Sequence, residues 1–123
     1  MSKTEAITNQ YKQAVQRLQE ALQAPKTDMA RDSAIKRFEF CFDLAWKLLK
    51  TLLEEKKGVI CASPKDCFRE AYKNGLIEYD DFWLQMTDWR NEAVHTYSEQ
   101  FAEVFYQKLP KALEKFITLK DQF

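Results

Sequence analysis

Two glycines, Gly58 and Gly75, are all that this chain of 123 residues contains, and only three prolines accompany them. A protein of many short strands needs turn formers every 8–12 residues or so. That architecture is excluded, and so is a Gly-rich loop that cradles phosphate. Lys, Glu, Gln, Leu and Ala abound instead, and these are strong helix formers. The chain reads as all-α. Its length is that of one ordinary domain, residues 1–123, large enough to bury a core. Apolar residues at 46% and charged residues at 31% are the balance of a soluble globular chain.

Caps and periodicity place four long helices and one short one. Ser2-Lys-Thr-Glu5 is a capping box, and Ile7, Tyr11, Val15, Leu18 and Leu22 follow at steps of three and four. Ala24-Pro25 stops this first helix. Asp28 can cap a second, running to about Lys56 and closed by Gly58 in a left-handed conformation. Ser63-Pro-Lys-Asp66 opens a shorter third helix, which Asn74-Gly75 ends. A fourth is predicted from about Tyr79 to Ala93 or Val94. Thr96-Tyr-Ser-Glu99 is a further capping box, predicting a last helix to the C-terminus with a kink at Pro110. The expected architecture is an up-and-down four-helix bundle with an additional short helix.

The second helix carries an unusually wide apolar face. Ala34, Phe38, Cys41, Phe42, Ala45, Leu48, Leu49, Leu52 and Leu53 share one side, and Leu44 and Trp46 widen it to roughly 200° of arc, against about 100° for an ordinary surface helix. Phe40 lies beyond even that arc. In a four-helix bundle each helix contributes one inward stripe. The excess therefore predicts a homodimer or a partner subunit, unless the short third helix covers it.

Charge and cysteine content narrow the function. Lys plus Arg equals Asp plus Glu at 19 each, so no overall field recruits nucleic acid or an anionic membrane. No apolar run approaches the roughly 18 residues of a membrane span, and no signal peptide opens the sequence; the expected location is the cytoplasm. Three cysteines, Cys41, Cys61 and Cys67, and a single histidine cannot assemble a Cys/His zinc site in one chain, and no metal or other cofactor is expected. Cys41, in an apolar run, reads as a small buried hydrophobe.

The fourth helix holds an anomaly. Phe82, Trp83, Met86, Trp89 and Ala93 form its apolar stripe with Tyr79, and Arg90 lands near the centre of it. A buried Arg must be paired or must line a cleft that needs a fixed cation. Glu39 or Asp43 of the second helix would supply a structural partner. His95 and Tyr97 lie at the corner that follows. With Thr96 as N-cap, free N–H groups at the start of the last helix favour a phosphate, and a neighbouring imidazole can move protons near neutral pH. On one continuous helix Arg90 and His95 would point about 140° apart. A break at Val94–Thr96, or two copies facing one another, would let them converge.

The stretch Arg90-Asn-Glu-Ala-Val-His95-Thr-Tyr97 reads as R-x-x-x-x-H-x-Y and resembles the motif of HEPN-domain proteins. RDSAIKRFEFCFDLAWK from Arg31 and SPKDCFREAYKNGLI from Ser63 are similar to the branch of nucleotidyltransferase substrate-binding proteins, which are paired with a minimal nucleotidyltransferase. The resemblance implies a dimerising helical bundle with Arg and His in a cleft between subunits. It implies a metal-independent endoribonuclease toxin whose nucleotidyltransferase partner is the antitoxin and adenylylates the motif tyrosine. Carried over by position, Arg90 would bind and stabilise phosphate, His95 would assist proton transfer at the ribose 2′-hydroxyl, and Tyr97 would be the modified residue. Asn91 would help hold the phosphate and Glu39 would orient Arg90.

One feature opposes RNA cleavage. From Glu78 to Glu103 there are seven acidic residues and one basic residue, Arg90, whereas RNA affinity depends on phosphate neutralisation. The cations would have to come from Lys36, Arg37, Lys47 and Lys50, or from Lys108, Lys111 and Lys115. No aromatic residues interleave with basic ones along the sequence to mark a single-strand path. The Gly-Ser and paired Asp motif of nucleotidyltransferases is absent, so the chain cannot transfer nucleotides alone. An alternative remains a non-catalytic subunit that binds a nucleotide or substrate for the partner enzyme, and a third is a dimeric scaffold with a structural Arg90.

Overall fold

The computed structural model describes residues 2–96 and 98–123, and among them every regular element is helical. The helices are α1 (Lys3–Gln23), α2 (Asp28–Leu52), α3 (Pro64–Lys73), α4 (Phe82–His95), α5 (Glu99–Tyr106) and α6 (Leu109–Lys120). The all-α bundle expected from the sequence is what forms.

Local chemistry sets most boundaries as read. Ser2 Oγ accepts from the Glu5 N–H at 3.1 Å and starts α1. Thr27, one residue before the expected Asp28, caps α2 by accepting from the Ala30 N–H. The far end of α2 widens into a π-turn, Leu53–Lys57, closed by Gly58 at φ 65°. Only a residue without Cβ takes that conformation cheaply. Ser63 caps α3 by accepting from the Asp66 N–H, with Pro64 in the first turn, and the Asp66 carboxylate accepts from the Ala62 N–H. Gly75 turns the chain away at φ 73°.

Three further boundaries differ from expectation. Helix α4 begins at Phe82 rather than Tyr79, because the Asp80 carboxylate accepts from the Phe82 N–H and fixes the start there. It then runs unbroken through His95, so Thr96 ends α4 instead of capping the next helix; Ser98 is the N-cap of α5 and accepts from the Phe101 N–H. Pro110 does not kink one long helix. It sits in the first turn of a separate α6, where its missing N–H costs nothing.

Helix α2 is the axis of the core, packing against α1, α3, α4, α5 and α6. Its Phe38 ring lies 5.1 Å from that of Phe105 and 5.7 Å from that of Phe116, and its Phe42 ring lies 5.8 Å from that of Phe68 (centroid distances). The Tyr11 hydroxyl closes the far side, donating to the Phe116 carbonyl at 2.8 Å. Truncating a ring such as Phe38 in this setting costs about 3–5 kcal/mol. The wide apolar arc is thus consumed largely inside the chain. It no longer argues for a second subunit, although Phe40 stays half-exposed on the outer side.

One covalent link has no counterpart in the expectations from sequence. Cys61 and Cys67 form a disulfide that fastens the approach to α3 onto its first turn. Cys41 is a buried free thiol, as expected, and burial pushes its pKa up to about 12. Among the described residues, no helix is long and apolar enough to cross a membrane.

Candidate active site

Arg90 lies in the seam between α4 and α2, with 29% of its side chain exposed. Its Nη2 is 3.0 Å from Asp43 Oδ1, and its Nη1 donates to Asn91 Oδ1 at 3.1 Å. Of the two carboxylates expected as structural partners, Asp43 takes the role and Glu39 is occupied elsewhere. The seam is incompletely satisfied. Arg90 Nε, Asp43 Oδ1 and Trp46 Nε1 are buried and have no hydrogen-bond partner among the described residues. The close Arg90–Asp43 contact is therefore a charge contact without a well-aimed hydrogen bond. Buried polar groups are normally paired, and orphans of this kind mark strain, a ligand or a partner.

Asn91 follows Arg90 and is exposed, so it can steady the guanidinium and still reach an anion. His95 is exposed on the last turn of α4. Because the helix continues through it, Arg90 and His95 point about 140° apart and are separated by about 7.5 Å along the axis. The break expected at Val94–Thr96 does not bring them together within one chain. Tyr97 lies outside the described residues.

Glu39 belongs to a different place. It is mostly buried, 3.9 Å from the Lys36 ammonium, and lines an open cleft of about 300 Å³ between α2 and the corner joining α4 to α5. Ala93, Thr96, Ser98 and Phe101 form the other wall, and neither Arg90 nor His95 reaches it. At the cleft's end sits Arg31, 2% exposed, a residue that sequence reasoning does not single out. Its Nε donates to Asp32 at 3.0 Å, while its Nη1 donates to Glu103 at 3.0 Å and lies 2.8 Å from Glu99 and 3.7 Å from Asp28. Glu99 first, then Asp32 and Glu103, hold the Arg31 pKa above its ordinary value. The start of α5, expected to be open to a phosphate, thus carries Glu99, already engaged by Arg31. A signal for Arg31 exists: it extends the stripe of Ala34, Phe38 and Cys41 by one turn, a charge on an apolar face as Arg90 is on α4. Among the described residues, no three of His, Cys, Asp and Glu gather as a metal site.

The chain is similar to known proteins along most of its length. The family described as "Nucleotidyltransferase substrate binding protein like" matches residues 7–123. A probable ribonuclease HepT from Haemophilus influenzae is 31% identical over 93 residues, which span 72% of this chain and 64% of that protein, a little under two thirds of its length. A crystal structure of a Thermus thermophilus protein superposes with a TM-score of 0.79 at 35% identity, covering 91% of this chain and 93% of the other. With R-x-x-x-x-H on an all-α bundle and a match along nearly its whole length, the chain belongs to the HEPN-like family of nucleotidyltransferase substrate-binding proteins.

Proposed function

We propose that this protein is the HEPN component of a two-protein system, a metal-independent endoribonuclease toxin silenced by a minimal nucleotidyltransferase. The observation that carries the reading is Arg90: a part-exposed cation steadied by Asp43 and Asn91, with a buried Nε that still lacks an acceptor. A phosphate oxygen would complete it. In the reaction, His95 takes the proton of the ribose 2′-hydroxyl, the 2′-oxygen attacks the adjacent phosphorus, and the P–O5′ bond breaks. The departing 5′-oxygen takes a proton from water, leaving a 2′,3′-cyclic phosphate, while Arg90 offsets the charge on the non-bridging oxygens and the His95 imidazolium returns its proton to solvent. The divergence of Arg90 and His95 on α4 supports a homodimer in which facing copies supply the two groups to one phosphate. The relative named as a probable ribonuclease supports the activity. Adenylylation of Tyr97 by the partner would place a charged phosphodiester two residues from His95 and exclude RNA.

A second reading is favoured by the same geometry. Arg90 is already held by Asp43 and turned from His95, which suits a non-catalytic subunit that binds a nucleotide and presents it to the partner enzyme. One assay separates them. Purified protein is incubated with total RNA in the presence of a chelator, comparing wild type with His95→Ala and with protein pretreated with the nucleotidyltransferase and ATP. The ribonuclease reading expects cleavage by wild type alone, with a loss of about 10²–10⁴-fold in His95→Ala and no change in melting temperature. Equal cleavage by both, or none by wild type whose Tyr97 is unmodified by mass, would favour the binding subunit.

A further inference from the structure

We infer that the seam between α4 and α6 is a track for the backbone of single-stranded RNA, formed by Lys108, Lys111 and Lys115 and leading towards Arg90; the inference rests on the RNA reading above. The three lysines follow one another at steps of three and four and so share one face of the chain entering and forming α6. Their ammonium groups lie over two rings of α4: Lys108 is 4.5 Å from the Trp89 centroid, and Lys111 and Lys115 are 5.0 and 5.8 Å from that of Phe82. Phe82 and Trp89 themselves touch edge to face, 5.1 Å apart. The fold therefore interleaves cations and aromatic rings that are far apart in the sequence.

The direction of the row matters. Lys115 and Lys111 stand over Phe82, at the beginning of α4, and Lys108 stands over Trp89, the residue before Arg90. Seven residues at helical rise make a row about 10 Å long, running along α4 from Phe82 to Trp89, one residue before Arg90. The surrounding carboxylates cancel it only in part. Of the seven acids between Glu78 and Glu103, three are engaged by cations outside the row, Asp88 by Lys65 and Glu99 and Glu103 by Arg31, while Asp80 pairs with Lys115 of the row itself. Lys108 and Lys111 form no ion pair among the described residues, leaving them available to phosphates.

The rings also define the mode of binding. Phe82 is 7% exposed and Trp89 is partly buried, so neither offers a face for a base to stack on. Recognition would run through phosphates and be indifferent to sequence, with salt dependence as its signature.

The test uses the full-length His95→Ala protein, so that RNA survives, and a short fluorescent RNA of mixed sequence followed by anisotropy across a salt series. Lys108→Ala/Lys111→Ala removes two contacts and should flatten the plot of log K against log[salt] by about 1.4, at about 0.7 per phosphate. Lys108→Arg/Lys111→Arg should restore the slope. Lys56→Ala/Lys57→Ala, which removes the same charge from the π-turn, should leave it unchanged. An unchanged slope in the first pair, or an equal loss in the control, would overturn the track. So would unchanged RNA binding with lost capture of the nucleotidyltransferase, which would make the row a protein face. Slow cleavage by wild type with normal lysine-dependent binding would instead count against the ribonuclease reading alone.

Discussion

Arg31 and Arg90 both sit on apolar helical stripes, and the bundle treats them in opposite ways. Arg31 is almost entirely enclosed and is met by Asp28, Asp32, Glu99 and Glu103, two of them from its own helix and two from α5. Arg90 is nearly a third exposed, faces one carboxylate and one amide, and retains an orphaned Nε. An arginine surrounded by more anions than it can neutralise has no use for a phosphate. It is a rivet between α2 and α5. An arginine with one partner and unused donors can exchange part of its contact for a ligand. The two cations differ in burial and, more sharply, in acceptors: Arg31 has a surplus of them and Arg90 a deficit.

That contrast can be broken by substitution. Arg31→Met should produce the largest effect on the fold, because it removes the ion pairs through which Glu99 and Glu103 tie α5 to α2. The expected drop in melting temperature is on the order of 10 °C, read by circular dichroism. A drop within a degree or two would show that α5 docks without the rivet. Arg90→Gln should do the reverse. Its part-exposed pair with Asp43 is a single contact worth about 1 kcal/mol, so melting should move little, whereas on the ribonuclease reading the loss of a donor to the phosphate should cost RNA cleavage about 10²–10³-fold. Destabilisation equal to that of Arg31→Met would make both arginines structural.

A gentler test uses acid. Hydrogen bonds from Lys26 and then Arg31 hold the Glu103 carboxyl below the usual carboxylate range. A carboxyl whose folded pKa is depressed stabilises the folded state above its unfolded pKa, and that contribution fades as pH falls through the folded value. Below about pH 4, amide hydrogen exchange in α5 should therefore accelerate before that of α1 and α2. Uniform exchange across all helices would mean that α5 has no separate opening.

How far the sequence can be read depends on the range of the physics. Ser2, Ser63 and Gly58 act on neighbours within a few residues, and their roles are legible from spacing alone. Thr96 and Ser98 are both competent caps two residues apart. Which one serves depends on how far α4 persists, and spacing alone does not say. The apolar width of α2 is also legible, but its meaning requires knowing that five helices share it. Arg90 stands out by its place on a stripe, and the same criterion applied to α2 finds Arg31. Its partners Glu99 and Glu103 are about 70 residues away, beyond any local pattern. The lysine row is hidden for the same reason, since Phe82 and Trp89 meet Lys108 and Lys111 only after α6 folds back along α4.

The unbroken course of α4 through His95 has a genetic consequence. If each phosphate draws its arginine from one copy and its histidine from the other, the two residues belong to separate complementation groups within a single gene. A chain lacking Arg90 and a chain lacking His95, each inert alone, would regain activity when mixed, because one of the two clefts in every mixed dimer would hold an intact pair. Were both groups drawn from the same copy, mixing the two variants would restore nothing.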